Sequence, residues 1–563
     1  MGRECFPAIT IAKRYTQVVR EFSFKLAKDW PWLIVTSLLV IFGIIVNIDE
    51  VWLKTNDDLW ISMIGYSFFQ TLAIEQGRLA HLVNGGLAQL PYLSDNFVYF
   101  KVVQLVPIIL VIVVLSTFMG MLFKSRYVGY FQAGVLSVLW QNSNGHNLLT
   151  SYPLYNISSF LFLLLSCIFL VQHIRTEKRG FLIASVLLWF ATLRFSEFWH
   201  LYLLLPLSVA LFELIEAKVS PLKKAYFNVT RWYVLVSLVN VIGYVVFRKF
   251  NPSTYSGNVI NWNLHDILSA CYIYSIGLFP GRLYFNGVPG AFEQLSISCL
   301  IVIITILVLL YFARAKLEIV RAKLKLLVVF IFALIYVVIP NILISLTAKY
   351  QTWALELDVN DYLYSAYSFF AISVCFVVIA IYLSKWKSLY AAFSFVVALL
   401  AVLVQINNVA VERSQARYAE KFLLMNAFLN SSLIRDELEI SAKTLWGPNI
   451  ISPDFWNIYA QSKTDKKIRI LNQAPKESEL VFVEANKEKR SYLLFIKGEQ
   501  LKAVFYFNHY LNAYCKNDSC SLITLEDKMN LGSVNIKGVK EQFFPVIGLN
   551  RSVSVLEINN ISP

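Results

Sequence analysis

Long apolar runs alternate with short polar segments along the first three quarters of the chain. A helix of about 20 apolar residues is needed to cross the hydrocarbon core of a bilayer, where every backbone polar group must find a partner within the chain. Eleven runs approach this length, at 33–48, 102–123, 128–140, 157–174, 180–193, 199–216, 232–248, 296–313, 326–346, 368–384 and 389–407. The pattern therefore predicts an α-helical polytopic membrane protein.

The pattern changes after residue 407. A stretch at 412–440 has the spacing of an amphipathic helix. Short β-type runs follow it, namely KIRIL, ELVFVEA, SYLLFIKG, AVFYFNHY, SLITL and SVSVLEI. We therefore expect three regions: an N-terminal segment over 1–32, a transmembrane domain over 33–407 and a small α+β domain over 408–563.

Positive charge sorts the polar segments into two alternating sets. Lysine and arginine collect in the N-terminal segment and at 124–127, 173–179, 218–231, 313–325 and 384–388. The other set has few cations and comprises 49–101, 141–156, 194–198, 249–295 and 347–367. Because cytoplasmic loops carry the excess of positive residues, the chain is expected to begin in the cytoplasm and to end outside it. This topology accounts for the net charge of +14 without a nucleic-acid partner.

The first external loop, 49–101, is expected to carry acids at the membrane surface. Asp49 and Glu50 follow the first apolar run, and Asp57 and Asp58 begin a predicted interfacial helix. Acids in a first turn also complement the helix dipole, which would explain the second pair without any function. Asp49 and Glu50 precede this predicted helix by several residues, so the helix dipole does not explain them. Such a cluster is suited to act as a general base or to hold a divalent cation such as Mg²⁺ or Mn²⁺.

The remaining external loops contain candidate substrate-binding residues. They are Arg78, His81, Asn142, His146, Arg194, Glu197, His200, Lys349 and Tyr350, with Arg282 as a weaker candidate. Cations at this level could bind a phosphate, and neutral amides suit sugar hydroxyls. The alternatives are an ordinary polar turn around Asn142, an ion pair in the 194–200 segment and a snorkelling Lys349.

The cysteines agree with this placement. Cys515 and Cys520 lie in the predicted external region, where the sequence CKNDSC favours a disulfide over a zinc site that would lack two ligands. Cys167, Cys271, Cys299 and Cys375 lie in or near apolar runs and are expected to pack as small apolar side chains.

An acidic first external loop, many spans and an external C-terminal region together resemble the GT-C class of membrane glycosyltransferases. The similarity is greatest to bacterial enzymes that use a polyprenyl-phosphate sugar, including those that modify O-antigen, and is carried by NDD (56–58), QGR (76–78) and TAKYQ (347–351). The resemblance implies transfer of a hexose from the lipid to an envelope-glycan hydroxyl at the periplasmic face of the bacterial inner membrane. It also implies Asp57 or Asp58 as base, and Arg78, Arg194 or Lys349 as the group that stabilises the departing phosphate.

Two other functions fit the same architecture. A lipid-linked polysaccharide polymerase or ligase shares the span number, but usually has its large loop between late spans. A transporter of a polysaccharide precursor would favour ionisable residues near the middle of spans, together with internal repeats. Neither the sugar nor the acceptor is indicated by any motif in the sequence.

Overall fold

The chain folds as a bundle of apolar helices with strands near its C-terminal end. The computed structural model describes residues 29–48, 61, 63, 65–94, 97–143, 153–218, 221–285, 297–320, 323–357, 359 and 361–429. Beyond them it describes 437–441, 453–463, 467–471, 493–494, 502–506, 511–516, 519–524, 530–537 and 557–559.

In the described part of the first half of the bundle there are nine α-helices. They are α1 (Asp29–Ile45), α2 (Tyr66–Gln76), α3 (Leu79–Gln89), α4 (Phe97–Leu122), α5 (Arg126–Leu139), α6 (Pro153–Thr176), α7 (Arg179–Leu193), α8 (Leu204–Glu216) and α9 (Leu222–Phe250). A short 3-10 helix, Glu197–Leu203, leads directly into α8.

The second half comprises two long helical pairs separated by short helices. The elements are α10 (Leu264–Ser275), α11 (Arg282–Phe285), α12 (Ile297–Leu317), α13 (Lys323–Val338), α14 (Ile342–Ser345), α15 (Ala348–Leu355), α16 (Ser365–Leu383) and α17 (Lys387–Leu429). Helix α17 runs through the predicted end of the last span and into the predicted amphipathic segment without a break.

Eight helical segments of the described chain are long and apolar enough to cross a membrane. They are Val98–Leu122, Leu154–Thr176, Glu197–Glu216, Leu222–Phe250, Ile297–Leu317, Leu324–Ser345, Ser365–Leu383 and Lys387–Glu412. The other three predicted spans coincide with the shorter helices α1, α5 and α7. The protein is thus a membrane protein with a helical fold, although only eight of the eleven predicted spans have full crossing length.

Close contacts between backbones hold the first helices together. A Cβ atom at Gly129 of α5 would lie 2.7 Å from the carbonyl oxygen of Ser116 in α4. Small residues allow this approach, which increases van der Waals contact where there is no water to drive association. The buried core extends from these helices through α6, α8, α12 and α16, with Trp140 and Trp189 wholly buried.

Ion pairs tie the helices together at the end of the bundle that includes Lys124. The guanidinium of Arg175 donates two hydrogen bonds of 2.8 Å to the buried carboxylate of Glu213. Glu216 pairs with Lys124 at 2.5 Å and with Lys325 at 2.7 Å. Each partner compensates the cost of removing the other from water. This lysine- and arginine-rich end is called the cationic end below.

The C-terminal described residues form two small sheets and one helix. In one sheet the strand order is β2 (Lys467–Leu471), β1 (Glu437–Ser441), β4 (Lys502–Tyr506) and β3 (Leu493–Leu494). The other is antiparallel, with β5 (Leu511–Lys516), β6 (Ser519–Thr524), β7 (Asn530–Lys537) and β8 (Glu557–Asn559) in order. The helix α18 (Pro453–Lys463) precedes β2. The boundary of the α+β domain at 408 stays a prediction.

Cys515 and Cys520 occupy directly paired positions in β5 and β6. Paired residues of antiparallel strands have Cα atoms about 4.5–5.5 Å apart, within the range that a disulfide spans. Their side chains lie outside the described part of the chain, so the disulfide stays a prediction.

Candidate functional site

A polar cavity of about 370 Å³ lies at the end of the bundle opposite the cationic end. Its size is that of a small-molecule site, for which clefts of about 300–1,000 Å³ are usual. Six segments distant in sequence form its wall: α2, α3, the start of α6, the turn at 195–199, the region around Tyr255, and the stretch from Lys349 to Tyr367. This end of the bundle is called the cavity end below.

Helices α2 and α3 bring the first cation into the cavity. Gly77 ends α2 in the left-handed conformation (φ +61°), and α3 begins two residues later. A side chain at Gly77 would be strained by this φ, so glycine is favoured there. The turn places Arg78 immediately before α3, and both Arg78 and His81 line the cavity.

The Arg78 guanidinium is available to a ligand. It lies over the Tyr255 ring, 5.7 Å from the centroid, and makes no ion pair within 4.0 Å to any described residue. Burial by itself would lower the pKa of Arg78, but the carboxylate of Glu197, which lines the same cavity, raises it above its ordinary value. Arg78 therefore remains charged, with donors that no described carboxylate neutralises.

Lys349 supplies the second cation. Its Nζ donates a hydrogen bond of 2.8 Å to the hydroxyl of Tyr255. The same Nζ lies 4.8 Å from the centroid of the Trp353 ring and 4.7 Å from that of Tyr255. Cation–π attraction of this kind fixes the ammonium inside the cavity instead of letting it extend to the bilayer surface. The snorkelling alternative for Lys349 therefore does not hold.

The hydroxyls of Tyr255, Tyr350 and Tyr362 lie in a row that starts at Lys349. The Tyr255 and Tyr350 hydroxyl oxygens are 3.5 Å apart, and those of Tyr350 and Tyr362 are 3.2 Å apart. Burial raises the pKa of Tyr255, but hydrogen bonds from Lys349 and Tyr350 outweigh it, so the net pKa lies below its ordinary value. Burial raises the pKa of Tyr350 well above its ordinary range.

His81 contributes a neutral ring beside these charges. Burial, followed by the nearby Arg78, lowers the pKa of His81 to about 3. The ring lies close to those of Tyr155 and Phe69, with centroids 6.4 and 6.1 Å away. Neither ring nitrogen has a hydrogen-bond partner among the described residues. His81 therefore belongs to an aromatic wall and is not a cation at neutral pH.

Glu197 is the one carboxylate among the described residues that line the cavity. It begins the 3-10 helix before α8, and Ser196 caps this helix by accepting a hydrogen bond from the Phe198 amide. The Ser196 hydroxyl also donates to the Glu197 carboxylate at 3.4 Å.

Five of the ten predicted substrate-binding residues lie together in this cavity: Arg78, His81, Glu197, Lys349 and Tyr350. His200 and Arg282 do not line it. The His200 ring contacts the Asn240 side chain at 3.2 Å, and Arg282 donates to the Ile273 carbonyl at 3.0 Å. Arg194 lies over the Phe190 ring and forms no ion pair with Glu197, contrary to the ion-pair alternative.

Asn142 does not line the cavity either, because its amide is used in packing. Its Nδ2 donates to the Asn47 carbonyl at 3.0 Å, and its backbone amide donates to the Asn408 side chain at 2.6 Å. Asn142 thus joins the segments around Asn47 and Asn408, whereas Asn156, later in the same polar segment, lines the cavity. His146 lies outside the described residues.

The four predicted acids Asp49, Glu50, Asp57 and Asp58 also lie outside the described residues. Their roles as base or as metal ligands stay predictions. Within the described part of the chain, no three His, Cys, Asp or Glu side chains cluster as a metal site would require.

Of the six described tyrosines that line the cavity, the sequence analysis named Tyr350 and missed the other five: Tyr155, Tyr255, Tyr362, Tyr364 and Tyr367. The chain contains 30 tyrosines, so no single tyrosine is distinctive in the sequence. The local signal that could have found one of them is the uncharged loop between α9 and α10, where Tyr255 is the one aromatic residue between Phe250 and Trp262.

The described fold and cavity define a polytopic membrane protein with a charged, ligand-sized pocket at one end of its helices. A scan against protein-family models gave no match, and neither did a search of curated proteins. Two solved structures that match are of ArnT from Cupriavidus metallidurans. The apo form has 13% identity and a TM-score of 0.36, covering 80% of this chain and 86% of that chain.

The second is ArnT from the same organism bound to undecaprenyl phosphate. It has 12% identity and a TM-score of 0.33, covering 80% of this chain and 87% of that chain. TM-scores this low do not establish a shared fold. The functional assignment of this chain therefore rests on its own helices and cavity.

Proposed function

We propose that the chain is a membrane glycosyltransferase that takes a hexose from a polyprenyl-phosphate donor. The observation that supports this most directly is the pair of cations, Arg78 and Lys349, in a single cavity at the end of a membrane bundle. A lipid phosphate would reach that level of the membrane with its chain among the helices. Guanidinium and ammonium groups bind phosphate oxygens through charge-assisted hydrogen bonds.

The same two cations suit the departing phosphate. In a direct displacement, negative charge grows on the phosphate oxygen as its bond to the anomeric carbon breaks. Preorganised cations stabilise that charge without reorganising at the moment of reaction. The proton of the attacking hydroxyl passes to a carboxylate, a role that the resemblance implies for Asp57 or Asp58, both outside the described residues.

We further propose that the acceptor is a hydroxyl of an envelope glycan such as O-antigen, and that the cavity end faces the periplasm. The separation of charge along the bundle supports this orientation, because arginine and lysine collect at the opposite end. With the cationic end in the cytoplasm of a bacterial cell, the N-terminus would also be cytoplasmic and the C-terminal residues periplasmic.

The proposal is tested by binding of undecaprenyl phosphate to the purified protein in nanodiscs. We expect Arg78→Gln and Lys349→Gln each to weaken binding by about 10- to 100-fold, as expected for the loss of one charge-assisted contact of about 1.5–3 kcal/mol. Arg179→Gln, an exposed position at the cationic end, should have no effect. Equal binding of undecaprenol, which lacks the phosphate, would overturn the proposal.

Transfer itself is tested in cells. Mass spectrometry of envelope glycans from cells with and without the chain should differ by one hexose per modified unit. A change in polysaccharide length with unchanged side branches would instead indicate a polymerase.

A further inference from the structure

The turn that carries Glu197 is hydrogen-bonded to α3 and to the start of α6. The side-chain amide of Asn84 in α3 donates to the Arg194 carbonyl oxygen. The Tyr155 hydroxyl, at the start of α6, donates to the Phe195 carbonyl at 2.8 Å. These bonds fix the backbone just before Glu197 to two elements that also line the cavity, so the position of its carboxylate is set by the scaffold.

The Glu197 carboxylate is not neutralised in the structure. Glu197 forms no ion pair within 4.0 Å to any described residue, although Arg78 lines the same cavity. Within this turn Glu197 accepts a long contact from the Ser196 hydroxyl, and the Tyr244 side chain of α9 also interacts with its carboxylate. A carboxylate held apart from a cation in one cavity leaves room for a ligand between them.

Arg78 and Glu197 supply the two kinds of charge that the transfer needs, a cation for the phosphate and a carboxylate for the proton. In an in-line displacement the leaving group and the attacking hydroxyl lie on opposite faces of the anomeric carbon. If Arg78 binds the phosphate, Glu197 is the carboxylate among the described residues lining the same cavity that can receive the proton of the attacking hydroxyl. A general base must come within hydrogen-bond reach of the proton that it removes.

We infer that Glu197 is the catalytic base of the transfer, an inference that rests on the proposed function. The acceptor hydroxyl donates its proton to the Glu197 carboxylate as its oxygen bonds to the anomeric carbon. The bond from that carbon to the phosphate oxygen breaks, and its electron pair leaves with the polyprenyl phosphate. The products are the glycosylated acceptor, the protonated Glu197 and the lipid phosphate.

The inference is tested by replacing Glu197 with Gln, which keeps the shape of the side chain and removes its capacity to accept the proton. The assay follows release of undecaprenyl phosphate from synthetic undecaprenyl phosphoglucose, in membranes that contain the native envelope glycans. We expect Glu197→Gln to lower kcat by about 10²- to 10⁴-fold, the usual contribution of general base catalysis. Binding of undecaprenyl phosphate should stay within about threefold of wild type, because the phosphate contacts are the cations.

Two further variants separate catalysis from a structural role. Glu75→Gln, an exposed glutamate at the end of α2, is the matched control and should retain full activity. Glu197→Ala should lose activity like Glu197→Gln but regain part of it when formate is added, because formate can occupy the vacated volume and accept the proton. A residue that only supports the fold would not be rescued by formate.

Failure of this inference is distinguishable from failure of the proposed function. If wild type binds undecaprenyl phosphate and Glu197→Gln releases it from the donor at a rate within threefold of wild type, Glu197 is not the base. Loss of activity in Asp57→Asn or Asp58→Asn alone would then assign the role to the first loop. If wild type binds no undecaprenyl phosphate, the proposed function itself is wrong.

Discussion

His81 shows how burial beside a cation determines the behaviour of a single side chain. Its ordinary pKa of about 6.5 would make it half-protonated in mildly acidic conditions, whereas burial and Arg78 lower its pKa to about 3. Between these two values the unfolded chain binds a proton that the folded chain does not. The free energy of unfolding must therefore fall as the pH falls through this range.

His81→Gln should remove this part of the acid sensitivity. We expect the thermal midpoint of the wild-type protein in nanodiscs to fall more steeply from pH 7 to pH 4.5 than that of His81→Gln. Differential scanning fluorimetry at several pH values would measure both slopes. Parallel slopes would show that His81 is not buried in its neutral form.

The ionisation of Tyr255 leads to a second pH prediction, which concerns ligand affinity at alkaline pH. Its pKa lies below the ordinary value, because hydrogen bonds from Lys349 and Tyr350 outweigh the effect of burial. As the pH rises, Tyr255 therefore ionises earlier than a free tyrosine and places a negative charge beside Lys349. Affinity for undecaprenyl phosphate should fall between pH 8 and pH 10 in wild type, and less in Tyr255→Phe. Identical pH profiles would contradict the proximity of Tyr255 to the bound phosphate.

Three of the charged residues that the sequence singled out, Arg78, Glu197 and Lys349, line the cavity. These three residues stood out because ionisable groups are rare next to apolar runs and are functional candidates by default. Tyr255 and Tyr362 did not stand out, because aromatic residues are expected at membrane surfaces in any case. Asn142 was assigned to the site from its type alone, and only the contacts with Asn47 and Asn408 show its packing role.

At the scale of elements, the packing of α2 against α3 sets the position of Arg78. A Cβ atom at Gly85 would lie 2.4 Å from the Cβ of Phe69, whereas one at Gly86 would meet nothing within 4 Å. Gly85→Ala must therefore separate the two helices, and Gly86→Ala is a matched control on the same turn. Alanine at the open position should stabilise the helix by about 0.4–1 kcal/mol.

We expect Gly85→Ala to lower both the thermal midpoint and the affinity for undecaprenyl phosphate, since Phe69 and Arg78 move together. Gly86→Ala should leave the affinity unchanged and raise the midpoint slightly. The pair can be compared by scanning fluorimetry and by the binding assay described above. Equal behaviour of the two variants would mean that α2 and α3 do not pack as described.

Helix positions were predicted well because apolar runs of this length have few alternatives in a membrane. The breaks between helices were harder to predict. The expected helix start at Asp57 lies outside the described residues. Among the described residues, α2 begins at Tyr66, directly after Gly65 with φ +60°, and ends before Gly77 with φ +61°. At Gly77 a Cβ atom would lie 2.7 Å from the Asn251 carbonyl oxygen, a tertiary approach that the local sequence does not encode.

At the scale of the whole molecule, the two ends of the bundle differ in the kind of polar contact they use. The cationic end is joined by charged pairs such as Arg175 with Glu213, and the cavity end by neutral amides around Asn142. Among the described residues that line the cavity, the charged side chains are Arg78, Lys349 and Glu197. This separation of charge should orient the chain in the membrane.

Orientation can be tested with single cysteines at exposed positions of the two ends. Glu75→Cys lies at the cavity end and Lys178→Cys at the cationic end, and both side chains are exposed. In intact spheroplasts, a membrane-impermeant maleimide should label Glu75→Cys above the background of the unsubstituted chain and leave Lys178→Cys at that background. Both should be labelled once the membrane is permeabilised. Labelling of Lys178→Cys in intact spheroplasts would place the cavity in the cytoplasm, where a periplasmic acceptor could not reach it.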